Sequence, residues 1–248
     1  MPQRADTIRG YALGLHQNWL KAQALYNYGQ EISSPFTIET RFRYNPEVSS
    51  IKAIVPAVIP ILLLILPAIL AALSVVREKE LGSVINLYVT PVTRAEFLLG
   101  KQLPYIVLAM LNYLLMVLMA IFVFDVPIKG SVLTLTSTIF IYCIISTGMG
   151  LFASTFTSRQ VGAMFFTLVG TLIPAVQFAG MINPVSSLEG IGRLIGNIYP
   201  ATHMLSISRG VFSKALSFSS LYGNIGMLLI TAPIILGVSI LLLKKQES

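Results

Sequence analysis

An almost uninterrupted apolar run over residues 54–76 constrains the fold more than any other part of the sequence. Roughly 20 apolar residues cross the hydrocarbon core of a bilayer as a helix, so this run is long enough to span a membrane once. Similar runs recur four more times, and the predicted spans are 54–76, 103–124, 132–154, 161–181 and 225–243. The sequence therefore predicts an all-α integral membrane protein with about five transmembrane helices.

Composition agrees with this class and narrows the partners. The hydrophobic fraction is 55%, the charged fraction 11%, and the net charge of +7 suits anionic lipid headgroups. Basic residues are not interleaved with aromatic residues, so we expect membrane lipids and no nucleic acid as direct partners. One cysteine and two histidines are too few for a disulfide framework or a convincing metal site, and we expect no metal or other cofactor.

Two patterns inside the spans predict how the helices pack. Pro56, Pro60 and Pro67 predict a kinked or broken start of the first span, because proline removes a backbone donor. In the third span, Ser146, Gly150 and Ser154 recur every fourth residue, a spacing that lets two helix backbones approach closely.

Polar residues within the apolar runs are candidates for a translocation path. Asn112, Thr147 and Gln177 each place a hydrogen-bonding side chain in a predicted span, where an unpaired polar group is costly. Such groups face either a water-filled path or another helix. Bonding and packing between helices therefore remain open alternatives for all three residues.

The segment 183–222 is broken by prolines and glycines and is unsuited to spanning. We expect two short half-helices there, over about 188–197 and 204–212, dipping into the membrane interface as a helical hairpin.

The first fifty residues are more polar than the rest. Apolar residues at helical spacing, including Tyr11, Leu15 and Trp19, predict an amphipathic helix up to about Gln30. Alternation over 36–46 then predicts a half-buried strand. One helix and one strand cannot close a core, so this region resembles the end of an extramembrane domain. An interfacial helix followed by a disordered tether is the alternative.

The most charged segment, 77–101, lies between the first two spans. Val84, Leu87 and Tyr88 share one helical face, and Thr93 with Glu96 has the form of a capping box, so we expect a surface helix, a turn and a rising span. The surface helix could meet a cytoplasmic partner. Alternatively, the charges only flank the spans. The candidate coupling residues here are Arg77, Glu78, Glu80, Gly82, Arg94, Glu96 and Lys101.

Several motifs in order resemble the ABC-2 type transporter permeases. They are YNPE before the first span, REKELGS after it, TPVTRAEFLLGK before the second, FAGMINPVSSLEG after the fourth, and YPATHMLSISRGVFSKA before the last. The sequence is most similar to the C-terminal membrane portion of the fused ATPase and permease called the ribosome-associated ATPase. Basic residues are nearly balanced between the two sides, so charge alone does not orient the chain.

The resemblance implies an organisation and an orientation. Permeases of this family have six spans and a large extracytoplasmic domain after the first. Residues 1–50 would then be the C-terminal remnant of that domain, and 51–248 a transmembrane domain without the first span. The resemblance also places the 77–101 segment in the cytoplasm, where it would couple to an ATPase, and the 178–212 hairpin on the outside.

The resemblance further implies an exporter subunit of a bacterial inner membrane. Its partners would be ATPase subunits or domains and a second permease half, identical or different. The sequence contains no GxxxxGK[ST] phosphate loop and no catalytic constellation, so we expect no enzyme activity in this chain and ATP only in partner domains. An alternative is a non-transporting anchor or remnant of a ribosome-associated ATPase, in which ribosome association runs only through the ATPase.

Overall fold

The computed structural model describes residues 2–28, 50–82, 93–181 and 184–242. The chain divides into two compact units, Met1–Arg43 and Tyr44–Ser248. The described part of the first unit is helix α1, Pro2–Tyr28. Among the described residues of the second unit there are five long helices, namely α2 (Ser50–Glu80), α3 (Arg94–Phe122), α4 (Val132–Phe156), α5 (Gln160–Phe178) and α8 (Phe218–Leu242). Between α5 and α8 lie a 3₁₀ turn (Val185–Ser187), α6 (Gly190–Ile198) and α7 (Pro200–Lys214).

The five predicted spans are confirmed, since α2, α3, α4, α5 and α8 are each long and apolar enough to cross a membrane. The described residues contain helices, turns and bends but no strand. The predicted strand within 36–46 and the surface helix through Val84, Leu87 and Tyr88 lie outside the described residues.

Helix α2 continues through its three prolines, so the break that was one form of the predicted kinked or broken start does not occur. One compensating contact explains part of this. Pro60 has no N–H to donate to the carbonyl of Pro56, one turn earlier. The hydroxyl of Ser208 on α7 donates to that carbonyl instead, at 2.6 Å. Tertiary packing thus supplies a bond that the proline removes.

The close approach predicted at the small residues of α4 is present, and the helix they pack on is α2. A Cβ atom added to Gly150 would lie 2.0 Å from the carbonyl oxygen of Ala68, so only glycine permits this approach. One turn away, the Ser146 hydroxyl donates to the Leu64 carbonyl at 2.6 Å. Serine and glycine together hold the two backbones in contact.

Burial separates inner from outer helices. In α2 and in α4, 61% of the most apolar 18-residue stretch of the helix is buried. The corresponding share is 17% in α3 and 22% in α5 and in α8. Helix α2 packs against α3, α4, α5 and α7, and α4 packs also against α8. A displacement of α2 therefore reaches most of the bundle.

The predicted half-helices are present as α6 and α7. At about 1.5 Å per residue, neither their nine nor their fifteen residues reach across a 30 Å core. Arg209 of α7 donates to the carbonyls of Gly180 and Met181 at 3.0 and 3.3 Å, which joins the hairpin to the end of α5. Burial lowers the pKa of this guanidinium.

Helix α1 confirms the predicted N-terminal helix and ends at Tyr28. The apolar face predicted from its spacing is not a buried face here. Tyr11 and Leu15 are each 71% exposed and Trp19 is 57% exposed.

Candidate functional site

The charged residues after the first span bring several helix ends together, and we call this cluster the junction. It comprises the end of α2 (77–80), the start of α3 (93–101) and the turn between α4 and α5 (154–160). Its contacts join chain segments that are 23 to 80 residues apart.

The first contact of the junction joins α2 to α3. The ammonium of Lys101 forms an ion pair with the carboxylate of Glu78, and both side chains are about one-third exposed. The same ammonium lies 5.9 Å from the ring centre of Phe97. Solvent screening limits such a pair to about 0–1 kcal/mol, so it fixes a relative position more than it stabilises the fold.

The second contact joins α2 to the end of α4. Lys79 donates from Nζ to the carbonyl of Ser154 at 2.6 Å and to that of Thr157 at 3.4 Å. The last carbonyls of a helix have no partner within the helix, and a cation there also complements the helix dipole. A lysine of α2 thus caps α4.

The third contact joins α2 to the start of α5. Arg159, the N-cap residue of α5, makes no side-chain cap bond. The carboxylate of Glu80 takes that role, accepting the backbone N–H of Gln160 at 2.7 Å and a second bond from the Gln160 side-chain amide. A carboxylate at a helix N-terminus is stabilising because it accepts hydrogen bonds from free backbone N–H groups and because its charge complements the helix dipole.

The start of α3 is capped locally. Thr93 Oγ1 accepts the backbone N–H of Glu96 at 3.3 Å, while the Glu96 carboxylate accepts the backbone N–H of Thr93 at 2.8 Å. This is the capping box predicted from the sequence. It fixes where α3 begins and therefore where Lys101 lies.

Three further predicted coupling residues complete the segment. Arg77 is exposed. Arg94 is the first residue of α3, and its side chain is not among those that the structure describes. Gly82 has φ +71°, a left-handed conformation that favours glycine, and it follows the last turn of α2.

Sequence reasoning missed the residues that the junction contacts. Lys79 stood within the charged run but was not among the predicted coupling residues. Ser154 was assigned to helix packing, and Thr157 and Gln160 lay between the predicted spans 132–154 and 161–181 with no role assigned. The sequence feature that could have indicated these contacts is the turn TFTSRQ. Two spans separate it from the charged segment 77–101, so the two lie on the same side of the membrane.

The three predicted path residues do not come together. Thr147 is fully buried, and its hydroxyl accepts a bond from the Gln102 amide at 2.8 Å, while Gln102 also donates to the Ile144 carbonyl at 2.9 Å. Gln177 is exposed and lies one residue before the end of α5, not in mid-span, because that helix stops at Phe178. Asn112 lines an open groove between α2 and α3.

Comparison with known proteins decides the family. The profile described as ABC-2 family transporter protein matches residues 5–241, nearly the whole chain. The chain belongs to the ABC-2 transporter family. Its five membrane helices and this membership make it a multi-pass membrane protein.

Named relatives of this ABC-2 family chain include three permeases from Escherichia coli K12. The probable multidrug ABC transporter permease YbhS is 32% identical over 99% of this chain and 65% of its own length. The probable multidrug ABC transporter permease YbhR is 28% identical over 86% and 59%. The inner membrane transport permease YhhJ is 25% identical over 73% and 49%.

The chain thus spans less than two thirds of the length of these relatives. No solved structure matches. The matches give no support to the more specific likeness to the ribosome-associated ATPase, nor to the alternative of a ribosome-associated anchor.

The junction can act mechanically in an ABC-2 family protein. Through Glu78, Lys79 and Glu80, three successive residues of α2 contact α3, α4 and α5. A force applied at this end of α2 therefore acts on four helices together.

Proposed function

We propose that this chain is the permease part of an ATP-driven exporter of a bacterial inner membrane. It would work with cytoplasmic ATPase subunits or domains and with a second permease half, identical or different. ATP would bind and react only in the partner, and the chain itself would supply the membrane path. The family membership and the names of the matched permeases support this proposal.

The observation that carries the mechanism is the position of the junction at the end of α2, a helix that packs against four others. Helix α2 packs against α3, α4, α5 and α7, and its last turn bonds to the ends of three of them. A change of conformation in a partner that presses on residues 77–101 would bias the bundle between two arrangements. Arg77, Gly82, Arg94 and Glu96 would shape the surface that the partner meets.

Charge reversal at Glu80 tests the coupling. The variant Glu80→Lys places a cation against the N-terminal backbone N–H of α5, where the dipole disfavours it. Tagged protein is purified from its native membrane with the ATPase that accompanies it, and ATP hydrolysis is measured with and without the permease. We expect the variant to insert normally and to lose most of the stimulation of hydrolysis by the permease.

Glu189 provides the matched control. It is also an exposed carboxylate directly before a helix, α6, but it lies at the opposite end of the bundle by span parity. Glu189→Lys should leave stimulation at the wild-type level. Equal stimulation by wild type and Glu80→Lys would contradict the coupling role, and recovery of no ATPase would contradict the transporter proposal.

A further inference from the structure

A long apolar groove runs between α2 and α3, formed by two adjoining clefts of about 590 and 350 Å³. Val58, Leu62 and Met119 line the first cleft, and Leu66 and Leu108 the second. Asn112 and Leu115 line both clefts, so they lie where the two meet. The α2 lining extends from Ser50 to Leu70, about 30 Å at 1.5 Å per residue, which is the thickness of the hydrocarbon core.

The amide of Asn112 is the unusual feature of this groove. It lies near the middle of the apolar part of α3, and no hydrogen bond joins its side chain to another described residue. An amide without a partner in hydrocarbon costs free energy, and lipid acyl chains cannot satisfy it. The other amide on α3, Gln102, is buried with two partners. Asn112 therefore has hydrogen-bonding capacity that an apolar molecule with one polar group can use.

Water alone is a poor occupant. A buried water needs two to four polar partners. Besides Asn112, the polar side chains lining the groove are Ser50, at the far end of one cleft, and Tyr105, two helical turns before Asn112 on α3. A water at Asn112 would thus have a single side-chain partner.

The residues that line the groove also limit the charge and size of a molecule that can bind there. No charged side chain lines either cleft, so a charged molecule would enter without compensation. Each cleft has the volume of ordinary small-molecule sites, and a few polar groups among many apolar ones are typical of them. Met116 and Met119 add flexible, polarizable side chains that adapt to different shapes.

We propose that the α2–α3 groove binds an uncharged, mostly apolar molecule that enters from the bilayer and places one hydrogen-bonding group at Asn112. The idea that this molecule is transported rests on the proposed permease function. The idea that the groove binds it does not, since residues of this chain form the groove. The ligand class is a long-chain alcohol or amide rather than an ion or a pure hydrocarbon.

Photolabelling of the full chain in lipid nanodiscs tests the proposal. The probes are a dodecanol bearing a diazirine and the matched dodecane diazirine without the hydroxyl. Labelled residues are mapped by mass spectrometry, with and without excess unlabelled dodecanol. We expect the alcohol probe to label groove residues on α2 and α3 in a manner that dodecanol displaces, and the hydrocarbon probe to label all lipid-facing helices without displacement.

Three substitutions distinguish binding in the groove from general exposure to lipid. Asn112→Leu should weaken displaceable binding of the alcohol about three- to tenfold, the range for one hydrogen bond, and leave the hydrocarbon probe unchanged. Leu115→Ala should also weaken it, whereas Leu114→Ala should not. The two leucines are neighbours on α3 with similar exposure, 55% and 52%, but only Leu115 lines the groove.

The results that would overturn the proposal are specific. Labelling of the groove that excess dodecanol does not displace would mean ordinary contact with lipid. Displaceable labelling that Asn112→Leu leaves unchanged would remove the assigned hydrogen bond. Absence of groove labelling would mean that another helix fills it. None of these outcomes depends on the partner ATPase, so failure of the binding site and failure of the coupling mechanism are distinguishable.

Discussion

The junction and the α2–α3 groove lie along the same helix but use polar groups in opposite ways. At the junction, Glu78, Lys79 and Glu80 each bond to a different helix. In the groove, Asn112 bonds to no other described residue. Satisfied polar contacts hold neighbouring helices in one geometry, whereas an unsatisfied group leaves capacity for something that arrives later. The difference separates a region suited to transmitting force from a region suited to receiving a ligand.

The largest effect is expected where both regions share a support, at the contact of α2 with α4. Gly150→Ala would place a methyl group 2.0 Å from the Ala68 carbonyl, so the helices must separate. We expect a loss of about 3 kcal/mol, at the upper end of the usual cost of overpacking, measured by unfolding in mixed micelles. If the contact supports both regions, the variant should also lose ATPase stimulation and displaceable alcohol binding.

Gly148→Ala is the matched control. Its added methyl group would meet the Cγ2 methyl of Ile235 at 3.0 Å rather than backbone, a contact that a shift of a few tenths of an ångström relieves. A loss of about 1 kcal/mol or less is expected. Equal losses for the two glycines would show that the small-residue contact has no special role.

The next largest effect on the free energy of unfolding is expected at Gln102, whose amide has hydrogen-bond partners, in contrast to Asn112, whose amide has none among the described residues. Gln102→Leu should cost about 1–2 kcal/mol, because it removes bonds to Ile144 and Thr147 inside the bundle. Asn112→Leu should cost nothing in the same unfolding assay, since it removes no bond within the described structure. A clear loss for Asn112→Leu would show that this amide has a structural partner, and would weaken the contrast between the two regions.

Sequence reasoning predicted features that depend on the local chain. Span number followed from apolar length, the start of α3 from Thr93 and Glu96, and the close approach of another helix to α4 from the spacing around Gly150, but not that this helix is α2. It failed where the partner lies far along the chain. In a helix that is apolar on every side, periodicity does not show which face turns inward, so the sequence left open whether Thr147 and Gln177 face a path or another helix. The bond from Ser208 that supports α2 at Pro56 is equally invisible in sequence.

The smallest effect is expected from the ion pair of the junction. Reversing Glu78 to Lys, or Lys101 to Glu, should each cost about 0.5 kcal/mol, since both side chains are partly exposed to screening. Reversing both residues together should restore the ion pair. It should also recover any ATPase stimulation that the single variants lose. A double variant as impaired as the sum of the two single variants would show that the two residues act independently.

The central claim is that the ends of α2 and α5 move as one body when the bundle changes state. Glu80→Cys with Gln160→Cys allows the two ends to be linked by a short thiol cross-linker that reductant cleaves, after the buried Cys143 is replaced by alanine. Stimulation of the partner ATPase is then measured before linking, after linking and after reduction. Because the two substitutions remove the contact between Glu80 and Gln160, we expect weak stimulation before linking and after reduction, and stimulation close to the wild-type level while the two ends are linked. Loss of stimulation on linking, with recovery on reduction, would show that the junction must open and would contradict the account.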